Sequence, residues 1–198
     1  MKKTIAVAVL LFVLLSFGVG AAFAYSTYLP IVNYQATPTP TVDPNPISLP
    51  NGDFEQGHEV WNETSNLRDQ IIISQDEFGV PVHGGEWAAL MGINNNADEQ
   101  LDQTVFVPPD HPYLSFWLWI ISVDYCNYDF AYVYAGANKI DKHDLCYDHN
   151  TNQWVQKVYD LSAYSGQYID LIISVETDPS NQSMIYLDDF EFQTSLNP

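Results

Sequence analysis

Positive charge is scarce in this sequence. Lysine and arginine together number 6, against 25 aspartates and glutamates, so the formal net charge of the 198 residues is −19 at pH 7. A surface of this sign repels phosphate backbones and anionic lipid headgroups. The composition therefore argues against nucleic acid as a partner and against binding of a membrane surface by the folded domain. It suits divalent cations and neutral or cationic partners, although solubility alone would also explain an acidic surface.

The short motifs of common catalytic sites are also absent. The five histidines form neither an HExxH motif nor a His-x-His pair, and no GxSxG elbow, P-loop or dinucleotide-binding glycine pattern occurs. A glycosidase needs two carboxylates about 5 to 10 Å apart across a cleft, and a compact domain of this size has few long loops to wall such a cleft. We therefore expect that the protein is not an enzyme.

The first 50 residues have the composition of an export signal followed by a linker. Lys2 and Lys3 precede an apolar run, which ends in small residues at Ala24. This order predicts a secretory signal peptide over residues 1–24. An uncleaved anchor is the alternative, because the uncharged run reaches the roughly 20 residues that span a bilayer. Alternating prolines and threonines predict an extended linker over residues 25–50, so the folded part is expected to be secreted or at the cell surface.

Cysteine occurs only twice, at Cys126 and Cys146. In an exported chain an even number of cysteines favours a disulfide, which here would close a loop of about 20 residues and stabilise the fold by roughly 3 kcal/mol. A zinc site that includes His143 and His149 is the alternative, but the spacing matches no CxxC or zinc-ribbon pattern. We therefore expect a disulfide between the two cysteines.

No helical periodicity persists after the predicted signal peptide. Short apolar or alternating runs rich in Val, Ile, Phe, Tyr and Trp are separated by Asn, Asp, Gly and Pro, a pattern typical of β-strands. Without helical crossovers the sheets should be antiparallel, so the sequence predicts an all-β two-sheet sandwich over residues 51–193, followed by a tail, 194–198. The predicted strands are 70–74, 86–91, 101–107, 113–122, 130–135, 153–161, 167–176 and 183–193.

Four short segments, taken in order, resemble bacterial jelly-roll modules. The domain opens with NGDFEQG and closes with YLDDFEF, and the segments GGEWAAL and DLSAYSGQ lie between them. This set is similar to carbohydrate-binding modules that begin with an N-G-x-F-E-x-G segment, and to the MAM-like domains of secreted bacterial proteins. Cys126, Cys146 and Trp154 favour the MAM-like version. The resemblance covers residues 51–193 and implies a galactose-binding or MAM-like jelly-roll β-sandwich that binds a ligand.

The resemblance also implies a structural calcium ion, which takes six to eight oxygen ligands. The families in question often hold this ion where the first and last strands lie side by side. Glu55 and one of Asp188 and Asp189 match the motif, with Asp53 as a backbone ligand. The alternative is that these are ordinary strand-end carboxylates, one of them paired with Arg68.

Tryptophan side chains are candidates for a sugar-binding surface, because the C–H faces of sugars stack on flat rings. Trp117 and Trp119 share one face of the predicted strand 113–122, and Phe116 and Leu118 share the other. If Phe116 and Leu118 point inward, the two tryptophans form an exposed platform. If they point outward, the tryptophans belong to the core. We take Trp117 and Trp119 as the first predicted ligand contacts.

More aromatic residues lie around the predicted disulfide. Tyr125 and Tyr128 adjoin the first cysteine and complete the set of predicted ligand contacts. Tyr132 and Tyr134 alternate with small apolar residues, so they share one face of their strand. That face is either a ligand surface or packed against the neighbouring sheet. Asp129, in the same segment, is a second acidic candidate for a metal, although solvation at the surface is the simpler explanation.

Three functions fit these features. A glycan-binding module, which we favour, predicts an exposed aromatic pair flanked by amides or carboxylates. A protein-contact or adhesion domain, as the MAM-like resemblance implies, predicts a flat patch without a sugar-sized groove. A structural cell-surface domain would bind calcium only. The expected partner is therefore a polysaccharide or a surface protein.

Overall fold

The computed structural model of the protein describes residues 46–78 and 82–196, all of which lie in the unit Pro38–Pro198. The predicted signal peptide, residues 1–24, and residues 25–45 of the predicted linker lie outside the described residues, so both stay predictions there. The end of the predicted linker belongs instead to the folded domain, since Ile47–Ser48 is a strand and Leu49 is buried in the core. Within the described ranges, no helix is long and apolar enough to cross a membrane.

The described residues form an almost purely β structure. Segments rich in branched and aromatic residues become strands, because these side chains pack well on a pleated sheet. In the described part of the chain, eleven strands are interrupted only by one turn of α-helix (Gln75–Phe78) and two 3-10 turns (Tyr147–His149 and Ser162–Tyr164). The strands are β1 (Ile47–Ser48), β2 (Asn62–Ser65), β3 (Ile72–Ser74), β4 (Trp87–Met91), β5 (Asp98–Phe106), β6 (Tyr113–Ser122), β7 (Phe130–Ala135), β8 (Asn138–Asp144), β9 (Val155–Asp160), β10 (Tyr168–Glu176) and β11 (Ser183–Gln193).

The strands form two sheets. The six-stranded sheet has the order β3-β4-β11-β6-β9, with β1 also paired to β11, and the five-stranded sheet has the order β2-β5-β10-β7-β8. Every strand pairing among the described residues is antiparallel. The prediction of an all-β, antiparallel two-sheet sandwich is therefore confirmed.

The main hydrophobic core lies between the two sheets. Along β6, the buried residues Phe116, Leu118 and Ile120 alternate with half-buried ones, and along β7 Ala131 and Val133 are buried in the same way. Burial of each large apolar side chain contributes roughly 1.5–3 kcal/mol. Because successive side chains of a strand point to opposite faces, this alternation also decides which side chains face outward and can meet a ligand.

The opening motif of the domain and the short strand before it are both hydrogen-bonded to the last strand. β1 pairs with β11, so that Ile47 lies opposite Phe192. Further along, the Phe190 N–H donates to the Gly52 carbonyl over 2.8 Å. A Cβ on Gly52 would lie 2.3 Å from the Phe190 carbonyl oxygen, so only glycine permits this close approach. This contact gives a physical reason for the glycine in the opening motif.

Cys126 and Cys146 form the predicted disulfide. The bond joins the loop between β6 and β7 to the segment that follows β8. Because both thiols are consumed, neither is left as a thiolate ligand for the alternative zinc site.

Candidate functional site

The predicted tryptophan pair faces away from the main core. Phe116 and Leu118 are fully buried between the sheets, so Trp117 and Trp119 lie on the outer face of the six-stranded sheet, where both are half-buried. The Trp117 ring is stacked on the His83 ring, with 4.0 Å between centroids and 17° between planes. One flat face of Trp117 is therefore covered by a neighbouring loop. The assignment of both tryptophans as ligand contacts stays a prediction.

Trp119 belongs to a small apolar cluster on the same outer face. Its ring meets Trp154 at 6.1 Å, and Trp154 meets Tyr186 at 6.4 Å, both at a steep 70° between planes. Ile73 and Leu90 are buried members of the cluster. Because these rings pack edge against face, they make an apolar patch and not a row of open flat rings.

The two predicted tyrosines lie in the loop between β6 and β7, beside the disulfide. Tyr125 is 77% exposed and Tyr128 is 56% exposed. Tyr125 lines a cavity of about 360 Å³ together with Cys126 and Tyr147, and Tyr128 is not among the lining residues. The structure thus places these tyrosines in a loop and not on the sheet face that carries the tryptophans. Their role as ligand contacts stays a prediction.

A third aromatic surface lies on the outer face of the five-stranded sheet. Along β7, Ala131 and Val133 face the core, and Phe130, Tyr132 and Tyr134 face outward. The ring centroids of Phe130 and Tyr132 are 6.0 Å apart, and those of Tyr132 and Tyr134 are 6.3 Å apart. We call these three outward rings the aromatic row. Of the two alternatives for Tyr132 and Tyr134, packing against the neighbouring sheet is therefore wrong.

Polar side chains border the aromatic row on its β10 side. Residues directly opposite one another in an antiparallel pair share a face; Tyr132 lies opposite Ser174, which in turn lies opposite Gln100. The Gln100 amide donates to the Asp102 carboxylate over 2.8 Å, and the Asn62 amide donates to the same carboxylate over 3.0 Å. This border offers hydroxyl, amide and carboxylate groups, which can form hydrogen bonds with ligand hydroxyls.

Two lysines on β8 border the aromatic row on its other side. Lys142 Nζ lies 3.5 Å from the ring centroid of Phe130, and Lys139 Nζ lies 5.1 Å from that of Tyr132. A cation is attracted to the face of an aromatic ring, so these contacts hold the lysines against the row. Burial, together with the charge of Glu176, raises the pKa of the Tyr132 hydroxyl. This hydroxyl therefore stays protonated near neutral pH and can both donate and accept hydrogen bonds.

Two of the predicted calcium ligands, Asp188 and Glu55, each accept a hydrogen bond from the segment around Gly84 and Gly85. Asp188 Oδ2 accepts a hydrogen bond from the Gly84 N–H over 3.1 Å, and Glu55 Oε1 accepts one from the Trp87 N–H over 2.9 Å. A Cβ on Gly85 would lie 2.1 Å from Glu55 Oε1, so the glycine lets this carboxylate approach the loop. Burial and a neighbouring carboxylate raise the pKa of Asp188 to about 8.

The other two predicted calcium ligands have different surroundings. Asp189 Oδ2 lies 2.5 Å from His83 Nδ1, and Asp53 is exposed. Arg68 Nε lies 2.7 Å from Oε1 of the buried Glu99, so the alternative in which this arginine neutralises one of the predicted ligands is wrong. Calcium at this loop stays a prediction.

A second acidic group is not apparent from the sequence. Asp124, Asp129 and Asp178 each place one carboxylate oxygen within 4.8 Å of the other two. Asp124 and Asp129 are buried, so the expectation that Asp129 is solvated at the surface is wrong. The three residues come from two loops that are far apart in sequence. The only sequence feature that pointed to this group was the position of Asp129 three residues after Cys126.

A titratable cluster joins the edge strand of one sheet, β8, to the edge strand of the other, β9. The Tyr159 hydroxyl donates to Asp141 Oδ2 over 2.7 Å and lies 3.3 Å from His143 Nε2. Burial lowers the pKa of His143 and raises the pKa of Tyr159, so both side chains are neutral at pH 7. The three groups satisfy one another across the gap between the sheets, which fits a structural role.

Comparison with solved structures finds similar β-sandwich domains. The chain is similar to TmCBM61, solved in complex with β-1,4-galactotriose, with a TM-score of 0.53, 16% identity, and coverage of 78% of this chain and 100% of that one. It is also similar to the K2 cleaved adhesin domain of Lys-gingipain, with a TM-score of 0.51, 15% identity, and coverage of 75% and 98%. No protein-family model and no curated protein matches the sequence. The chain has the jelly-roll β-sandwich fold of carbohydrate-binding modules and adhesin domains.

Proposed function

We propose that this protein is an exported, non-catalytic module that binds a neutral polysaccharide on the outer face of its five-stranded sheet. The observation that carries the proposal is the aromatic row, Phe130, Tyr132 and Tyr134, whose rings all face outward beside hydrogen-bonding side chains. The fold it shares with TmCBM61, which was solved with a bound oligosaccharide, supports a glycan as the ligand. The disulfide supports export, because disulfides persist in oxidising compartments.

The spacing of the aromatic row favours a polymer over a single sugar. Sugar rings present C–H groups on their faces, which stack on aromatic rings, and hydroxyls at their edges, which need polar partners. The three rings follow one another along β7 at intervals of 6.0 and 6.3 Å. A monosaccharide could cover one of these rings, whereas an extended oligosaccharide can contact several at once. The row therefore suits an extended chain of sugar residues.

The charge around the row favours a neutral glycan. Asp102 accepts hydrogen bonds from two amides on the β5 side, and Asp170 accepts one from the Thr104 hydroxyl over 2.7 Å. Carboxylates such as these accept hydrogen bonds from sugar hydroxyls, and they balance the charges of Lys139 and Lys142 on the other side of the row, so the row has no excess of positive charge that would select an anionic sugar. Uncharged polysaccharides are therefore the class of ligand that fits the aromatic row.

The predicted contacts Trp117, Trp119, Tyr125 and Tyr128 form the competing surfaces for the same ligand. We place them second because Trp119 packs edge-on in its cluster and Trp117 stacks on His83, so the two tryptophans form no row. The rings of the aromatic row are also contacted on one side, by Lys139 and Lys142, but all three follow one another along one strand. Tyr125 and Tyr128 are open to solvent but lie in a loop and not on the face of a sheet, and Tyr125 lines a cavity together with the exposed Tyr147.

A set of alanine variants tests this assignment. Purified protein would be screened against neutral plant, algal and bacterial polysaccharides, and the affinity of Tyr132→Ala would be compared with that of wild type. We expect roughly tenfold weaker binding, because one stacking contact is lost. Trp117→Ala and Tyr125→Ala are the matched controls and should bind as wild type does. Thermal unfolding of each variant shows that it is folded.

Two results would contradict the proposal. Weaker binding in Trp117→Ala or Tyr125→Ala, with Tyr132→Ala unchanged, would move the site to the surfaces predicted from sequence. Failure of wild type to bind any neutral polysaccharide would remove glycan binding itself.

Protein contact is the second candidate function, and the outer face of the six-stranded sheet favours it. There Trp119, Ile121, Trp154 and Met184 are half-buried around a small apolar cluster, and surface apolar patches often mark protein contacts. Under this function, binding to a cell surface would persist after enzymatic removal of glycans and would be lost in Trp119→Ala. Binding that disappears with the glycans would exclude it.

A calcium ion at the loop that contains Gly84 and Gly85, here named the glycine loop, is a further part of the proposal. The buried Asp188 and the neighbouring Asp189 bring two carboxylates to this loop from the last strand, and Glu55 reaches it from the opening motif. Calcium would supply charge neutralisation there and would hold the first motif to the last strand. A melting temperature that rises with added Ca²⁺ in wild type, with a smaller rise in Asp188→Asn, would support this site.

A further inference from the structure

Three aspartates from two loops converge at the end of the sandwich where β11 begins. Asp124 and Asp129 flank Cys126 in the loop between β6 and β7, and Asp178 lies in the loop between β10 and β11. One carboxylate oxygen of each aspartate lies within 4.8 Å of the other two. We propose that these three residues, here named the aspartate cage, bind a calcium ion that ties the two loops together.

The two buried members of the cage each have one oxygen that is held and one that is not. Asp124 Oδ1 accepts hydrogen bonds from the Tyr125 N–H over 2.7 Å and from the Asn181 side-chain amide over 2.9 Å. Asp129 Oδ1 accepts one from the Asp178 N–H over 2.7 Å. By contrast, Asp124 Oδ2 and Asp129 Oδ2 are buried and have no partner among the described residues. Buried charged acceptors without a partner are costly, so these two oxygens point to a ligand.

The buried hydroxyls nearby are already used. Ser122 Oγ accepts a hydrogen bond from the Asp124 N–H over 2.9 Å and lies 2.8 Å from Ser183 Oγ. Ser183 Oγ in turn donates to the Leu145 carbonyl over 2.9 Å. A side-chain hydrogen bond from Ser183 also favours the charged form of Asp129. Because Ser183 has a single hydroxyl proton, it cannot fully satisfy both the Leu145 carbonyl and the Asp129 carboxylate, and it leaves Asp124 Oδ2 without a donor.

The cage also carries negative charge without a paired cation. The ion pairs between side chains of the described residues lie elsewhere, and none includes Asp124, Asp129 or Asp178. Burial, together with the charges of the other two aspartates, raises the pKa of Asp129, as expected when like charges share a buried site. A divalent cation would remove the repulsion and give the unpaired oxygens a partner.

The donor set selects calcium over zinc. All three side chains of the cage are carboxylates, and hard oxygen ligands suit Ca²⁺, whereas zinc prefers imidazole and thiolate. The nearby sulfur atoms of Cys126 and Cys146 are joined in the disulfide, so neither is a thiolate ligand. Calcium takes six to eight oxygens, and water would complete the shell around these carboxylates.

An ion in the cage would complete a set of ties between three segments at this end of the fold. The disulfide already joins the β6–β7 loop to the segment after β8, and the Tyr147 N–H donates to the Asp124 carbonyl over 2.9 Å in the same connection. The ion would add the β10–β11 loop through Asp178. Asp124 also lines the cavity that contains Tyr125, so calcium would fix one wall of that cavity.

Calcium titration of chelator-treated full-length protein tests the cage, with Ca²⁺ alone as the probe. In wild type we expect a rise in melting temperature of roughly 5–10 °C at a hundredfold excess over Kd, and isothermal titration gives the number of ions bound. Asp129→Asn should fold as well as the calcium-free wild type, because it removes an unpaired buried charge, but it should bind one ion fewer. Asp178→Asn, a half-buried site, is the second variant in case the first fails to fold.

Two matched controls separate this site from others. Asp148→Asn, an exposed aspartate that lines the neighbouring cavity, should bind the same number of ions as wild type. Asp188→Asn reports on the glycine loop and should leave the ion of the cage in place. Wild type that binds no Ca²⁺ at millimolar concentration, or Asp129→Asn and Asp178→Asn that keep every ion, would overturn the proposal.

Discussion

The ring of Phe54 lies edge-on against the ring of Phe190, with 5.9 Å between their centroids and 84° between their planes. Phe54 belongs to the opening motif and Phe190 to the last strand, and both are fully buried. Trp61 packs against both rings, at 5.5 and 5.2 Å. This aromatic contact closes the sandwich by joining its two chain ends inside the core.

Gly52 permits the close approach of the opening motif to the last strand, and replacing this glycine with alanine should destabilise the fold. The added Cβ would lie 2.3 Å from the Phe190 carbonyl oxygen, so the backbone must move and the hydrogen bond between the two residues is strained. We expect a loss of about 3 kcal/mol in the free energy of unfolding, measured by urea denaturation. Gly136→Ala is the control, because its Cβ meets open space and its positive φ costs only about 1 kcal/mol. Equal losses in both variants would contradict the steric explanation.

Loss of the disulfide should destabilise the fold without changing its core. The bond closes a loop with a sequence separation of 20, so the double variant Cys126→Ser/Cys146→Ser should lose about 3 kcal/mol of unfolding free energy through the greater entropy of the unfolded chain. Chemical denaturation with and without reductant measures this loss. Reductant should lower wild type to the level of the double variant and leave the double variant unchanged; a reductant effect on the double variant would point to another cause.

Arg68 should be needed mainly because Glu99 is buried. The Glu99 side chain is fully inaccessible, and its carboxylate pairs with Arg68 over 2.7 and 2.9 Å. Arg68→Met leaves that carboxylate buried and without its counter-ion, so we expect a loss of about 3–5 kcal/mol in urea denaturation. The double variant Arg68→Met/Glu99→Met should recover part of the stability, since it removes both charges but leaves the Gly92 N–H without its acceptor. A double variant as unstable as the single one would show that packing, not charge, accounts for the loss.

His143 should make the fold sensitive to mild acid. Burial lowers its pKa below the ordinary 6.5, so as the pH falls the unfolded chain takes up this proton before the folded protein does. The stabilisation is therefore complete above about pH 6.5 and is lost as the pH falls through the lowered folded pKa. Melting temperatures between pH 7.5 and 5 should fall less in His143→Gln than in wild type. The exposed His149→Gln is the control and should follow wild type; identical slopes in all three proteins would contradict this prediction.

The strands with strong apolar patterns could be predicted from sequence, and the polar ones could not. β6, β7 and β11 occupy the residues predicted for them, because their inward faces are mostly apolar. β2 (Asn62–Ser65) and β8 (Asn138–Asp144) were missed. Both lie at edges of the five-stranded sheet, where hydrogen bonds to one neighbour define a strand whose side chains are exposed or half-buried and need no apolar pattern.

The candidate sites also contain features that the sequence predicts and features that it does not. Alternation placed Tyr132 and Tyr134 on one face, but only the burial of the small residues Ala131 and Val133 showed that this face is outward. The disulfide followed from counting cysteines. The aspartate cage depends on burial of loop residues that are separated by up to 54 positions, from Asp124 to Asp178, and no local pattern distinguishes a buried loop aspartate from a solvated one.

The antiparallel pairing of β1 with β11 places both chain ends of the domain at the same end of the sandwich. Ile47 lies opposite Phe192, so the chain enters and leaves the sandwich side by side at one pole. Ser183, at the start of β11, lies roughly 30 Å away along the strand, near the disulfide loop and Tyr125. If the domain were tethered through either chain end, the opposite end of the sandwich would therefore point away from the attachment point. That distal end carries the acidic loops.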